Sequence, residues 1–127
     1  MTEIAKALYA FFSQFGIPAY AEDSVPDDPD DPKANPPYIT YTVPLSGVFG
    51  SAALQARIWY PTEKGAPSNV EVNKKTDEVT AAIGQGVKLE AGNGYVLLYP
   101  GVPLAQMQPA DDAIRIVYIN LEIKCFV

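Results

Sequence analysis

Residues 113–127 read AIRIVYINLEIKCFV, and their alternation decides the fold class. Ile119, Leu121, Ile123 and Cys125 alternate with Asn120, Glu122 and Lys124. That period of two places one set on each face of a strand. Upstream the same rhythm sets Ile114, Ile116 and Tyr118 against Arg115 and Val117. Such a strand belongs in a sheet with one face covered.

Moving back along the chain, GVKLEA (86–91) and YVLLYP (95–100) flank the turn GNG at 92–94 and read as a hairpin. The segment between that hairpin and the last strand, GVPLAQMQPADD (101–112), contains prolines and reads as a loop. Before the hairpin the period changes. Val72, Thr76, Val79 and Ile83 recur at helical spacing, and Gly84 and Gly86 close the helix. Ser68 and Glu71 carry the S-x-x-E spacing of a capping box.

Earlier still, YITYTVPL (38–45) and VFGSAALQARIWY (48–60) flank Ser46-Gly47 as an antiparallel pair. Leu54, Ala56, Ile58 and Tyr60 share one side of the second run; Gln55, Arg57 and Trp59 share the other. Residues 2–15 carry Ile4, Ala5, Leu8, Phe11 and Phe12 as a helical stripe, with Thr2 as N-cap and Gly16 as stop. A short extended piece at 18–23 leads into SVPDDPDDPKANPP (24–37), whose five prolines read as an irregular loop. The expected fold is one α+β domain over 1–127: two helices on one face of a mostly antiparallel sheet, ending in a long strand.

The composition removes more chemistry than it suggests. At 127 residues there is room for one domain. No run approaches the roughly 20 apolar residues that span a bilayer, and MTEIAKALYAFF lacks the basic region and cleavage site of a signal peptide. With no histidine and one cysteine, disulfides within the chain, Cys/His zinc sites and His-based triads are excluded. The net charge of −6 comes from six acids at 22–31; the rest of the chain balances nine acids with nine bases. Its scattered Lys and Arg make no phosphate-binding face, so specific nucleic-acid binding is not expected.

Asp27, Asp28, Asp30 and Asp31 suit Ca²⁺ in kind, but the EF-hand pattern fails. Position twelve from Asp27 is Tyr38, and no glycine falls between residues 17 and 46. Asp77-Glu78 and Asp111-Asp112 pair only by adjacency, and Cys125 reads as a small buried hydrophobe. The glycines at 84, 86, 92 and 94 form no phosphate loop. No metal, no cofactor and no catalytic constellation follow, and the chain is expected not to be an enzyme. What remains is surface. Among fourteen aromatics, Trp59 and Tyr60 at one strand end and Tyr95 and Tyr99 on the second hairpin are the candidate interface residues.

The runs PPYITYTVP, ARIWYP, PSNVEVNKKTDEVTAAIGQGVKL, GNGYVLLYPG and RIVYINLEIK resemble small tail proteins of phages and prophages, often labelled minor capsid or tail-completion proteins. The element order is similar to the tail-terminator family of long-tailed phages. That resemblance implies a hexameric ring that caps the tail tube, stops its growth and offers a docking face to the head. The implied partners are further copies of the chain, the tail-tube protein and a head-completion or connector protein. The implied place is the virion tail, after assembly in the host cytoplasm. DNA would pass through the ring. The acidic loop at 22–37 would then either line the lumen and repel DNA or reach a basic patch on a neighbour as a docking arm. The alternatives are a head-completion or head–tail connector subunit and, from another class, a small Ca²⁺- or ligand-binding module using the acidic loop.

Overall fold

The computed structural model describes residues 2–22, 24–25, 30, 35–43, 51–61, 70–111 and 114–126. It is an α+β fold of two helices and a six-stranded sheet. Helix α1 (Thr2–Phe12) runs into a 3₁₀ turn at Ser13–Phe15, and Gly16 ends it in the left-handed conformation. The strands are β1 (Ala19–Ala21), β2 (Tyr38–Tyr41), β3 (Ser51–Pro61), β4 (Val87–Ala91), β5 (Gly94–Asp111) and β6 (Ile114–Phe126), with α2 (Val70–Ile83) between β3 and β4. Their order across the sheet is β1-β2-β3-β6-β5-β4.

The alternation of β6 puts Val117, Ile119, Leu121, Ile123 and Cys125 into the core beside Leu54, Ala56 and Ile58 of β3. The helices supply the other half. Ile4, Leu8, Phe11 and Phe12 come from α1, and Val72, Val79 and Ile83 from α2. α2 lies over the central strands β3, β5 and β6, while α1 touches both edge strands, β1 and β4. The sheet therefore curls around α1. Lys75 of α2 ties the helices together: its ammonium donates to the Phe15 carbonyl and to Glu78 Oε2 at 2.9 Å. Gly92 and Asn93 make the two-residue turn between β4 and β5. There Gly92 has φ 60° and lies so close to Glu3 that a Cβ would sit 3.0 Å from its Cγ.

The sheet is mostly antiparallel, as expected, and is mixed through one parallel pair: β1 lies beside β2, Ala19 opposite Ile39 and Ala21 opposite Tyr41. The sixteen residues from Glu22 to Pro37 are long enough to return the chain to the same end of the sheet, as a parallel pair requires. One expectation is corrected: 101–112, expected as a loop, belongs to β5 through residue 111. Its prolines are tolerated because they sit near breaks in the ladder, where a missing N–H costs least. Pro100 pairs with Leu121 and Ala105 with Ile119, so residues 101–104 leave the ladder opposite Asn120 alone. A second irregularity falls between Pro109 and Asp111. Asn120 Nδ2 donates to the Pro103 carbonyl at 2.9 Å and holds this excursion, while Val102 at its tip is 98% exposed. Of the capping box, Ser68 lies outside the described residues.

Candidate functional site

With both helices on one side, the other face of the sheet is left to its own side chains. Pleating brings every second residue there, and the register sorts them into rows. At the β1 end, Tyr20 meets Tyr38 edge-on with ring centres 5.9 Å apart, and Tyr38 lies 5.7 Å from Trp59. Trp59 Nε1 donates to Thr40 Oγ1 at 3.0 Å, which gives the buried threonine hydroxyl its partner. Ile116, opposite Trp59 on β6, is buried on this face outside the main core cluster.

The next rows are polar. Arg57 sits 5.3 Å from the Tyr118 ring, is oriented by Gln55 Oε1 and pairs with Glu22 at 3.4 Å. Gln55 Nε2 donates to Asn120 Oδ1 at 3.1 Å, linking this row to the 101–104 excursion. At the opposite end, Lys124 lies 5.5 Å from the Tyr99 ring and Lys88 4.7 Å from the Tyr95 ring. Tyr95 in turn stacks on Phe126 at 4.9 Å. Arg57 pairs with Glu22 and Lys88 with Glu90 at 3.9 Å, and Glu122 lies two residues from Lys124 on the same side of β6. A face so balanced has aromatic area and polar handles without the positive excess that phosphate binding demands.

The structure thus gathers three of the four candidate aromatics, Trp59, Tyr95 and Tyr99, on one face. Tyr60 is on the other, half-buried against the core beside Lys75, Glu71 and Glu78 of α2. Sequence reading missed Tyr20, Tyr38, Tyr118 and Phe126 as members of the set. The signal was present for Tyr118, which shares its side of β6 with Glu122 and Lys124. Asp30 is exposed, whereas Asp27, Asp28 and Asp31 lie outside the described residues. Among the described residues no group of three or more Cys, Asp or Glu side chains could hold a metal ion.

Burial raises the hydroxyl pKa of Tyr38, Tyr41 and Tyr60 above the ordinary value of 10.0, and it raises the Cys125 thiol above 9.0. Each group is held in its protonated form by the fold, so the unfolded chain gives up these protons first. Stability is therefore full below about pH 8 and falls as pH rises, first through Cys125 and then through the tyrosines near 10 and beyond, by up to about 1.4 kcal/mol per pH unit for each group titrating only when unfolded. Thermal melts between pH 8 and 11.5 should show this decline, with a shallower slope for Tyr41→Phe. An identical slope would remove Tyr41 from the effect. Comparison with known proteins found no matching family model, no matching curated protein and no matching solved structure, so the functional reading of this chain rests on its own residues.

Proposed function

We propose that the chain is an assembly subunit of the tail-terminator kind, forming a ring on the end of a phage tail tube. The observation that carries this reading is the one-sided sheet. Both helices lie on one face, and the opposite face presents Tyr20, Tyr38, Trp59, Tyr95, Tyr99 and Tyr118 with balanced charges. Tyrosine and tryptophan on a rigid sheet give large contact area at small entropy cost, as protein interfaces favour. Among the described residues no strand pairs with the outer side of β4, an edge that extended backbone from a neighbour can complete.

In this reading the subunit contacts further copies of itself, the tail-tube protein and a head-completion or connector protein. It acts in the host cytoplasm during assembly and stays in the virion tail. Neutral, charge-paired surfaces suit a ring through which DNA passes without being held. Purified protein mixed with tail-tube protein should co-sediment with tubes and give tubes of uniform length in electron micrographs. Protein that never co-sediments, with tubes growing without limit, would remove this reading.

A further inference from the structure

A groove of about 380 Å³ runs between α1 and β1, walled by Ala5, Tyr9, Ala19, Ala21 and Tyr41, with Lys6 in its lining. Its origin lies in the sequence. Ala5 on the helix and Ala19 and Ala21 on the strand carry only a methyl group, whereas a helix closes on a sheet where larger side chains interdigitate. The volume falls within the roughly 300–1,000 Å³ of small-molecule sites.

Tyr41 aims a polar group into this space. The residue is 3% exposed, with its ring stacked on Phe12 at 4.9 Å. Its hydroxyl makes no hydrogen bond among the described residues, yet none of their side-chain polar atoms that is sealed from solvent lacks a partner. The hydroxyl therefore lies on the small part of Tyr41 that stays open, and the groove is the opening that Tyr41 lines. Tyr9, itself 57% exposed, is near enough to raise the Tyr41 pKa further, so two phenol hydroxyls neighbour each other here.

Lys6 supplies the charge. It sits three residues before Tyr9, on the same side of α1. It is exposed and has no carboxylate partner among the described residues, whose ion pairs are made by Arg57, Lys75 and Lys88. The described lining holds this one cation and no acid, in a chain of net charge −6. Apolar walls, two neutral donors and one unpaired cation call for an apolar body with a single anionic head. A carboxylate suits them: it carries one charge and accepts from an ammonium and from hydroxyls together. A phosphate, with close to two charges, is matched by clustered arginines or a helix N-terminus, and the described lining has neither.

We infer that the α1/β1 groove binds a small amphipathic carboxylate, its hydrocarbon body against Ala5, Ala19 and Ala21 and its head toward Lys6, Tyr9 and Tyr41. The site uses α1 and not the aromatic face, so it stands or falls separately from the assembly reading.

Octanoate and octanol are the probes, titrated into isotope-labelled protein and followed by nuclear magnetic resonance. The wild type should bind octanoate saturably, with shifts centred on Ala5, Tyr9 and Ala21, and should bind octanol about tenfold more weakly. Lys6→Gln, at an exposed side chain, should bring octanoate down to the level of octanol and leave octanol binding unchanged. Ala5→Leu should fill the groove and abolish binding of both probes while melting like the wild type. Ala21→Val is a second filling change, on the strand, and should act in the same direction. Octanoate that does not saturate, or that binds the filled variants as it binds the wild type, would overturn the site. An undiminished preference for octanoate in Lys6→Gln would overturn the placement of the head group. Either result leaves the assembly reading standing.

Discussion

Phe12→Ala should lower the free energy of unfolding by about 3–5 kcal/mol, a large share of what a domain of this size has. Phe12 is fully buried at the last turn of α1, stacked on Tyr41 of β2 at 4.9 Å and edge-on to Phe11 at 5.0 Å. Truncation leaves a cavity between α1 and the sheet that neither can fill alone. Both are held elsewhere: α1 by its contacts with β1 and β4, and β2 by its pairing with β3. Chemical denaturation is the measurement. Phe12→Leu should recover part of the loss, and a loss below about 1 kcal/mol for the alanine variant would mean that the ring is not part of the core.

The second large effect is expected at Gly101. A Cβ there would come 2.8 Å from the carbonyl oxygen of Asn120 and 3.0 Å from its carbonyl carbon. Those are backbone atoms of a central strand, paired with β3 on one side and β5 on the other, so they cannot move aside as a flexible side chain would. Gly101→Ala should therefore cost about 1–3 kcal/mol, the range for overfilling a packed site. It should also displace the excursion from β6. Val102→Ala one residue on, at a fully exposed side chain, should stay within about 0.5 kcal/mol of the wild type in the same denaturation experiment. Equal stabilities of the two variants would mean that Gly101 does not approach β6 closely.

The elements legible in the sequence were those whose side-chain period matches their final environment. β6 shows this best, because Val117, Ile119, Leu121, Ile123 and Cys125 all join the core that both helices share. α1 and α2 were legible through apolar stripes and through the glycines that end them. Residues 101–111 were not, since proline reads locally as a stop while the ladder absorbs it through register breaks set by a distant residue, Asn120. The parallel β1–β2 pair was equally hidden: three residues carry no direction, and the choice depends on the length of the connection that follows them. For the candidate site, single aromatics were visible as a residue type. Which of them share a face depends on register across β2, β3, β5 and β6, and that is a property of pairs of strands.

The contact of α1 with both edges of the curled sheet has a consequence for the chain as it is made. α1 leaves the ribosome well before β4, and residues 13–91 must follow before both of its docking edges exist. At about 5–20 residues per second, that interval is roughly 4–16 s. An isolated helix of eleven residues is marginal in water, so for those seconds the Ile4, Leu8, Phe11 and Phe12 stripe has at most part of its sheet to fold against. Nascent chains stalled before β6, the strand that joins the two halves of the sheet, should therefore be held by a chaperone at this segment, and chains stalled after β6 released from it.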